Sequence, residues 1–197
     1  MGTVSVQKLR TPLPIVGLAL LICACTSHPV DRQSIWNALS QGGYVLLMAP
    51  ASAPDIEPGE TPATANRCSE ADALSEQGRD EALQLKQSLQ SHAIAVGRVL
   101  SGSDCQCVMT AGFVFGRAEP WSIIDKAGTD EARARRDKND ALREAIARWN
   151  SPENLALVTH RRNIRDALGV VMQPGEILVV KPMGDAGYRL LGKLPGN

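Results

Sequence analysis

The feature that most constrains this chain is an alternation of short apolar runs with longer stretches of helical period. Tyr44–Met48 (YVLLM) is continuously apolar, the pattern of a parallel strand covered on both faces. Arg98–Ser101, Asn154–Thr159 (NLALVT) and Glu176–Lys181 (EILVVK) read as further strands, and Tyr188–Leu194 as a final edge strand. Helices are predicted over Arg32–Leu39, from a Ser75 cap to about Ser91 with Ala82, Leu85 and Leu89 on one face, and from Asp104 to Phe115 with Gly116 closing it. Two more are predicted over Asp130–Trp149 and about Asn163–Leu168. Strands alternating with helices imply an α/β three-layer sandwich, a mostly parallel central sheet with helices on both faces. The stretch Ala49–Asn66 is rich in Pro, Ala, Thr and Glu and reads as a long loop, a kind of segment that in compact domains is usually functional or mobile.

The first 25 residues stand apart. They hold Lys8 and Arg10 and no acid, then an apolar run from Leu13 to Ala24, too short to span a membrane comfortably. The run ends in Ile22-Cys23-Ala24-Cys25, which resembles a bacterial lipobox. On that reading residues 1–25 are a lipoprotein signal peptide, Cys25 is the acylated first residue of the mature protein, and the chain is exported. It would then sit in the cell envelope, lipid-anchored on the periplasmic side of a bacterial membrane. The plain alternative is an unlipidated signal peptide cut nearby. Residues 26–40 follow as a spacer with a short helix, and residues 41–197 as the globular domain.

The whole chain balances 21 basic against 21 acidic residues; removing Lys8 and Arg10 leaves 19 against 21, a net charge of −2. With aromatics at 4%, such a chain has neither the basic excess nor the stacking surfaces of a nucleic-acid binder. Export also sets the redox context, in which disulfides persist. Cys68, Cys105 and Cys107 remain, an odd number, so one bridge and one free thiol is the simplest arithmetic. The bridge is expected from Cys68 to Cys105 or Cys107. Cys105-x-Cys107 with one distant cysteine and few histidines is poor zinc spacing, and it lacks the Cys-x-x-Cys spacing of thiol redox sites. Neither a metal nor another cofactor is expected.

In sheets of this kind function sits at the carboxyl ends of the strands. Here those ends carry MAPASAP, SGSDCQCVMTA and VTHRRNI. Together with YVLLM, LSEQGR at the next helix start, S-x-x-x-C-x-C-x-x-T-A, LVTH, the Asn163-Ile164 pair and GEILVV, in this order, residues 40–194 resemble the histidine phosphatase (phosphoglycerate mutase-like) superfamily. The nearest likeness is to its exported bacterial branch. The resemblance implies the fold already expected and a chemistry of phosphate hydrolysis or transfer through a phosphohistidine. In that family an Arg-His pair ends the first strand and supplies the nucleophile, a second Arg comes from the helix before the T-A pair, and a second His follows the third strand. An Asp or Glu commonly protonates the leaving oxygen. Arginine forks and imidazoles suit the task because they neutralise phosphoryl oxygens through charge-assisted hydrogen bonds.

Carried onto this sequence, the pattern fails where the chemistry is done. Ala49 and Pro50 stand in place of the Arg-His pair, and Gln106 stands in place of the second Arg; His160 is kept. Two lost charge-assisted bonds at ~1.5–3 kcal/mol each remove roughly 3–6 kcal/mol of phosphate binding. Pro50 also offers neither a nucleophile nor a backbone N–H. The expectation is a catalytically degenerate domain that binds or regulates, with a phosphorylated small molecule or another envelope protein as partner. The alternative is a phosphatase of altered mechanism that uses His160.

The remaining candidates each carry two readings. His160 is either a satisfied structural histidine or a working acid/base. Arg161 and Arg162 either return positive charge to the pocket mouth or form a solvated pair at a helix start. Ser52, Ser101 and Thr110 are placed to line a residual pocket, with Ser101 and Arg161 the expected phosphate contacts, but hydroxyls without a base are weak nucleophiles. Asp125 and Asp130 fall where a proton donor would come from. His28 and His92 are poorly placed for catalysis, and Trp36, Trp121 and Trp149 read as partial core anchors. Nothing in the sequence sets the oligomeric state.

Overall fold

The computed structural model describes residues 1–2, 31–54, 73–125 and 132–196. In chain order the elements are α1 (Arg32–Gln41), β1 (Val45–Met48), α2 (Glu76–Ser91), β2 (Val96–Ser101), α3 (Cys105–Phe115), β3 (Glu119–Pro120), α4 (Ala132–Ala147), β4 (Asn154–Val158), α5 (Arg161–Leu168), β5 (Ile177–Pro182) and β6 (Tyr188–Leu194). Short 3-10 turns cover Ser122–Ile124 and Gly184–Ala186. The six strands form one sheet in the order β3-β2-β4-β1-β5-β6. β3, β2, β4 and β1 run parallel, while β5 is antiparallel to β1 and β6 antiparallel to β5.

β1 shows how the sequence builds the layers. All four of its residues are buried, because successive side chains point to opposite faces and both faces are covered. Leu46 and Met48 join Ile35, Leu39, Leu85, Leu89, Ala111 and Val114, the inward faces of α1, α2 and α3. Val45 and Leu47 join Leu142, Ile146, Ile164 and Ala167 from α4 and α5. Each fully buried Leu of this kind stabilises the fold by roughly 1.5–3 kcal/mol through removal of apolar surface from water. The expected three-layer α/β sandwich is the observed one.

Helix ends follow the local signals. Ser75 Oγ accepts from Gly78 N and opens α2, Asp104 Oδ1 accepts from Cys107 N and opens α3, and Gly116 closes α3 in the left-handed region. α5 begins two residues before its expected start, since the His160 carbonyl already accepts from Asn163 N and Ile164 N. β3 was not expected; a two-residue edge pairing with Leu100 and Ser101 leaves no periodic signature. At the amino end of the sheet, buried Asn154 ties three segments. Its Oδ1 accepts from Tyr44 N, and its Nδ2 donates to the carbonyls of Leu39 and Ala95, at 2.8–3.0 Å. α1, read as part of a spacer, is packed into the domain through Ile35 and Leu39.

Trp36 stacks on His92 with ring centroids 4.2 Å apart, and His92 Nδ1 lies 2.8 Å from the Ser88 carbonyl, so this histidine serves the end of α2. Trp149 Nε1 donates to the Glu153 carbonyl. Cys25, His28, Cys68 and Asp130 lie outside the described residues. Among the described residues no helix is long and apolar enough to cross a membrane.

Candidate functional site

β1, β2 and β4 end side by side, and the segments that leave them form two lips around a small cavity. The first lip follows β1. Ala49 is fully buried in the core on the α4/α5 face, and its N–H donates to the Glu176 carbonyl at 3.0 Å. Pro50 has no N–H to give, and its carbonyl accepts from Gly175 N at 2.9 Å. Ala51 N donates to Thr110 Oγ1 at 3.1 Å. Ser52 donates twice to the buried Glu81 carboxylate, from N to Oε2 at 3.0 Å and from Oγ to Oε1 at 2.9 Å, and Gln77 Nε2 adds a third bond. The Ser52 carbonyl accepts from both Ser75 N and Ser75 Oγ. α2 approaches this loop so closely that a Cβ on Gly78 would collide with the Ser52 carbonyl, which is why glycine stands there. The Ser52 hydroxyl is thus committed to the Glu81 carboxylate, and the Thr110 oxygen to the Ala51 N–H.

The second lip is made by the starts of α3 and α5, which follow β2 and β4. Thr159 Oγ1 donates to the Ile124 carbonyl at 2.7 Å. Asn163 Nδ2 donates to the carbonyls of Ile124 and Asp125 and to Thr159 Oγ1, at 2.9–3.0 Å. Asp125 Oδ1 accepts from Ser103 N at 2.6 Å, so this carboxylate positions a loop. Ser101 is fully buried, donates to the Gly102 carbonyl, and does not border the cavity.

His160 occupies the capping position of α5 and makes no capping bond with its side chain. Its Nε2 lies 2.8 Å from Asp104 Oδ2. Burial alone would raise the Asp104 pKa, but the imidazole beside it and the Cys107 N–H outweigh burial and hold the carboxyl down at about 2, from an ordinary 3.8. Cys107 is a free thiol with no exposed surface; burial first, and the Asp104 charge second, push its pKa far up. Cys105 is disulfide-bonded.

The cavity between the lips has a volume of about 120 Å³. Pro50, Ala51, Ser52, Gln106, His160 and Arg161 border it. Ala49 does not, and Arg162 lies instead 3.5 Å from Asp166 on the outside of α5. The fold therefore brings together Pro50, Gln106, His160 and Arg161 as the sequence pattern expects. Sequence reasoning missed Glu81 and passed over Asp104 as a helix start. The Asp-x-x-Cys capping spacing was visible, but its convergence with His160 depends on the sheet.

No protein-family model matches the sequence, and no curated protein matches it. Solved structures do. A phosphoserine phosphatase from Entamoeba histolytica, solved with 3-phosphoglyceric acid, superposes with a TM-score of 0.58 at 10% identity, covering 77% of this chain and 96% of that one. The protein histidine phosphatase SixA, solved with tungstate, gives 0.55 at 13% identity over 78% and 97%. A mycobacterial glucosyl-3-phosphoglycerate phosphatase, solved with VO3, gives 0.53 at 13% over 76% and 97%. At these identities the likeness speaks for architecture, and the chain has the fold of the histidine phosphatase (phosphoglycerate mutase-like) superfamily.

Proposed function

We propose that the protein is a catalytically degenerate member of this fold, a binding or regulatory module of the bacterial cell envelope held by a lipid on Cys25. One observation carries the reading. The strand end that should present a nucleophile presents buried Ala49 and Pro50, whose backbone is wired to Glu176 and Gly175. Gln106 borders the cavity where an arginine fork would neutralise phosphate, leaving Arg161 as the permanently charged residue among those described there. A pocket of about 120 Å³ admits a small anion, but its donors supply far less compensating charge than a phosphoryl group requires.

The test is an aryl-phosphate assay of the purified domain beside its His160→Ala variant, with phosphate and vanadate titrated calorimetrically. No turnover above the variant and no heat at millimolar ligand are expected. Turnover that His160→Ala abolishes overturns the reading and favours the alternative, a phosphatase of altered mechanism working through His160 and Arg161. For the anchor, Cys25→Ser is expected to move the protein from the membrane to the soluble fraction.

A further inference from the structure

Asp104 Oδ2, Cys107 Sγ and His160 Nε2 all lie within 4.8 Å of one another. Two come from the first turn of α3 and one from the start of α5, so two rigid elements hold them. Asp104 and His160 each keep an atom that no aligned hydrogen bond uses. Asp104 spends Oδ1 on the Cys107 N–H and keeps Oδ2. His160 Nε2 sits 2.8 Å from that oxygen, yet neither atom finds a partner at hydrogen-bonding angles, and both are sealed from solvent. The two atoms are close without being aimed at each other. Cys107 is fully buried and outside any disulfide. Beside them stands Gly102, where an added Cβ would lie 3.1 Å from Asp104 Oδ2 and 3.5 Å from Cys107 Sγ; glycine keeps that space clear.

We propose that Asp104, Cys107 and His160 form a binding site for a divalent transition-metal ion, with zinc the best match. Thiolate, imidazole and carboxylate together are a zinc donor set, whereas calcium and magnesium take oxygen ligands. Zinc at about 2.0–2.3 Å from each donor holds the donors about 3.3–3.7 Å apart. The oxygen and nitrogen then separate by about half an ångström and the sulfur closes in, movements within side-chain rotation. The step balances simply: the Cys107 S–H bond breaks, a Zn–S bond forms, the proton goes to buffer, and no electron changes hands. Three protein ligands leave a fourth position for water. The cysteine spacing pointed away from zinc because it set cysteines against each other. The ligands that converge are an aspartate and a histidine from another segment.

The site goes beyond the binding-module reading and does not depend on it, since metal affinity and phosphate turnover are measured separately. The test uses the full chain, stripped with chelator and dialysed against zinc, with elemental analysis, followed by cobalt titration. One zinc per chain and a thiolate-to-cobalt charge-transfer band are expected. Cys107→Ser is expected to remove that band, and His160→Ala to weaken zinc binding at least about tenfold, with circular dichroism confirming the fold of both. Should Cys107→Ser fail to fold, His160→Ala and Gly102→Ala, the latter crowding the site with every ligand kept, decide the matter by the same measurements. Zinc at background level, a cobalt spectrum without the thiolate band, or affinity unchanged in the variants that fold overturns the proposal.

Discussion

The two lips of the cavity are made of the same materials, a strand end and a nearby helix start, but they spend their polar side chains differently. On the β1 lip, Thr110, Ser52, Ser75 and Glu81 are consumed in hydrogen bonds to backbone and to each other. On the β4 lip, Thr159 and Asn163 do the same work on the Ile124 and Asp125 carbonyls, but Asp104 Oδ2 and His160 Nε2 lack an aligned partner and Cys107 stands outside any disulfide. The comparison teaches where chemistry can still reside. The polar groups of the β1 lip are spent on backbone and on one another, whereas the β4 lip brings Asp104, Cys107 and His160 together.

Four measurements test the contrast between the lips. The largest effect is expected at the β4 lip, where Asn163→Ala deletes three hydrogen bonds, two of them buried, and removes the Asn163 donor from the Asp125 carbonyl. Its unfolding free energy in urea is expected to fall by about 2–4 kcal/mol. Next comes Glu81→Ala on the β1 lip, which removes the acceptor of two Ser52 donors and of Gln77, with an expected loss of about 1.5–3 kcal/mol. A loss below about 0.5 kcal/mol there would mean that Thr110, Gly175, Glu176 and Ser75 hold the loop after β1 without Glu81.

The third measurement is acid titration of the chelated protein. The Asp104 carboxyl is held below its ordinary pKa in the folded state, so its contribution is complete above about pH 4 and drains away as pH falls toward about 2. With part of the side chain exposed, solvent screening reduces the contribution to on the order of 1 kcal/mol. Asp104→Asn should flatten that part of the profile; an unchanged slope would show that the Asp104–His160 contact is electrostatically idle. The smallest effect is expected from Arg161→Ala, within about 0.5 kcal/mol of wild type in stability. A larger loss would place Arg161 among the structural residues instead of at the cavity mouth.

How much was legible in the sequence depends on the reach of each signal. Ser75, Asp104 and Gly116 announced the ends of α2 and α3 because a cap satisfies groups three or four residues away. The apolar run of β5 gave its position but not its antiparallel direction, since a strand buried on both faces reads alike either way. Glu81 went unread because nothing in an amphipathic helix marks one acid as turned inward to a distant loop. Ser101, expected at the phosphate, is fully buried at the end of β2 with its hydroxyl spent on the Gly102 carbonyl.

Local sequence alone marks five of the six strands, the five helices and the caps of α2 and α3, and it places Ala49 and Pro50 at the end of β1. All of these are fixed by residue identity and short-range periodicity. Only the tertiary structure decided which helix starts meet. β2 and β4 are hydrogen-bonded neighbours in the sheet, although a helix, an edge strand and another helix separate them along the chain. That adjacency sets Asp104 and Cys107 of α3 against His160 of α5, because each helix starts directly beyond the end of its strand. Pairing between distant strands is a global solution to covering both faces of one sheet. For that reason the composition of the β4 lip, unlike the Ala49-Pro50 pair at the end of β1, is not written in any local stretch of sequence.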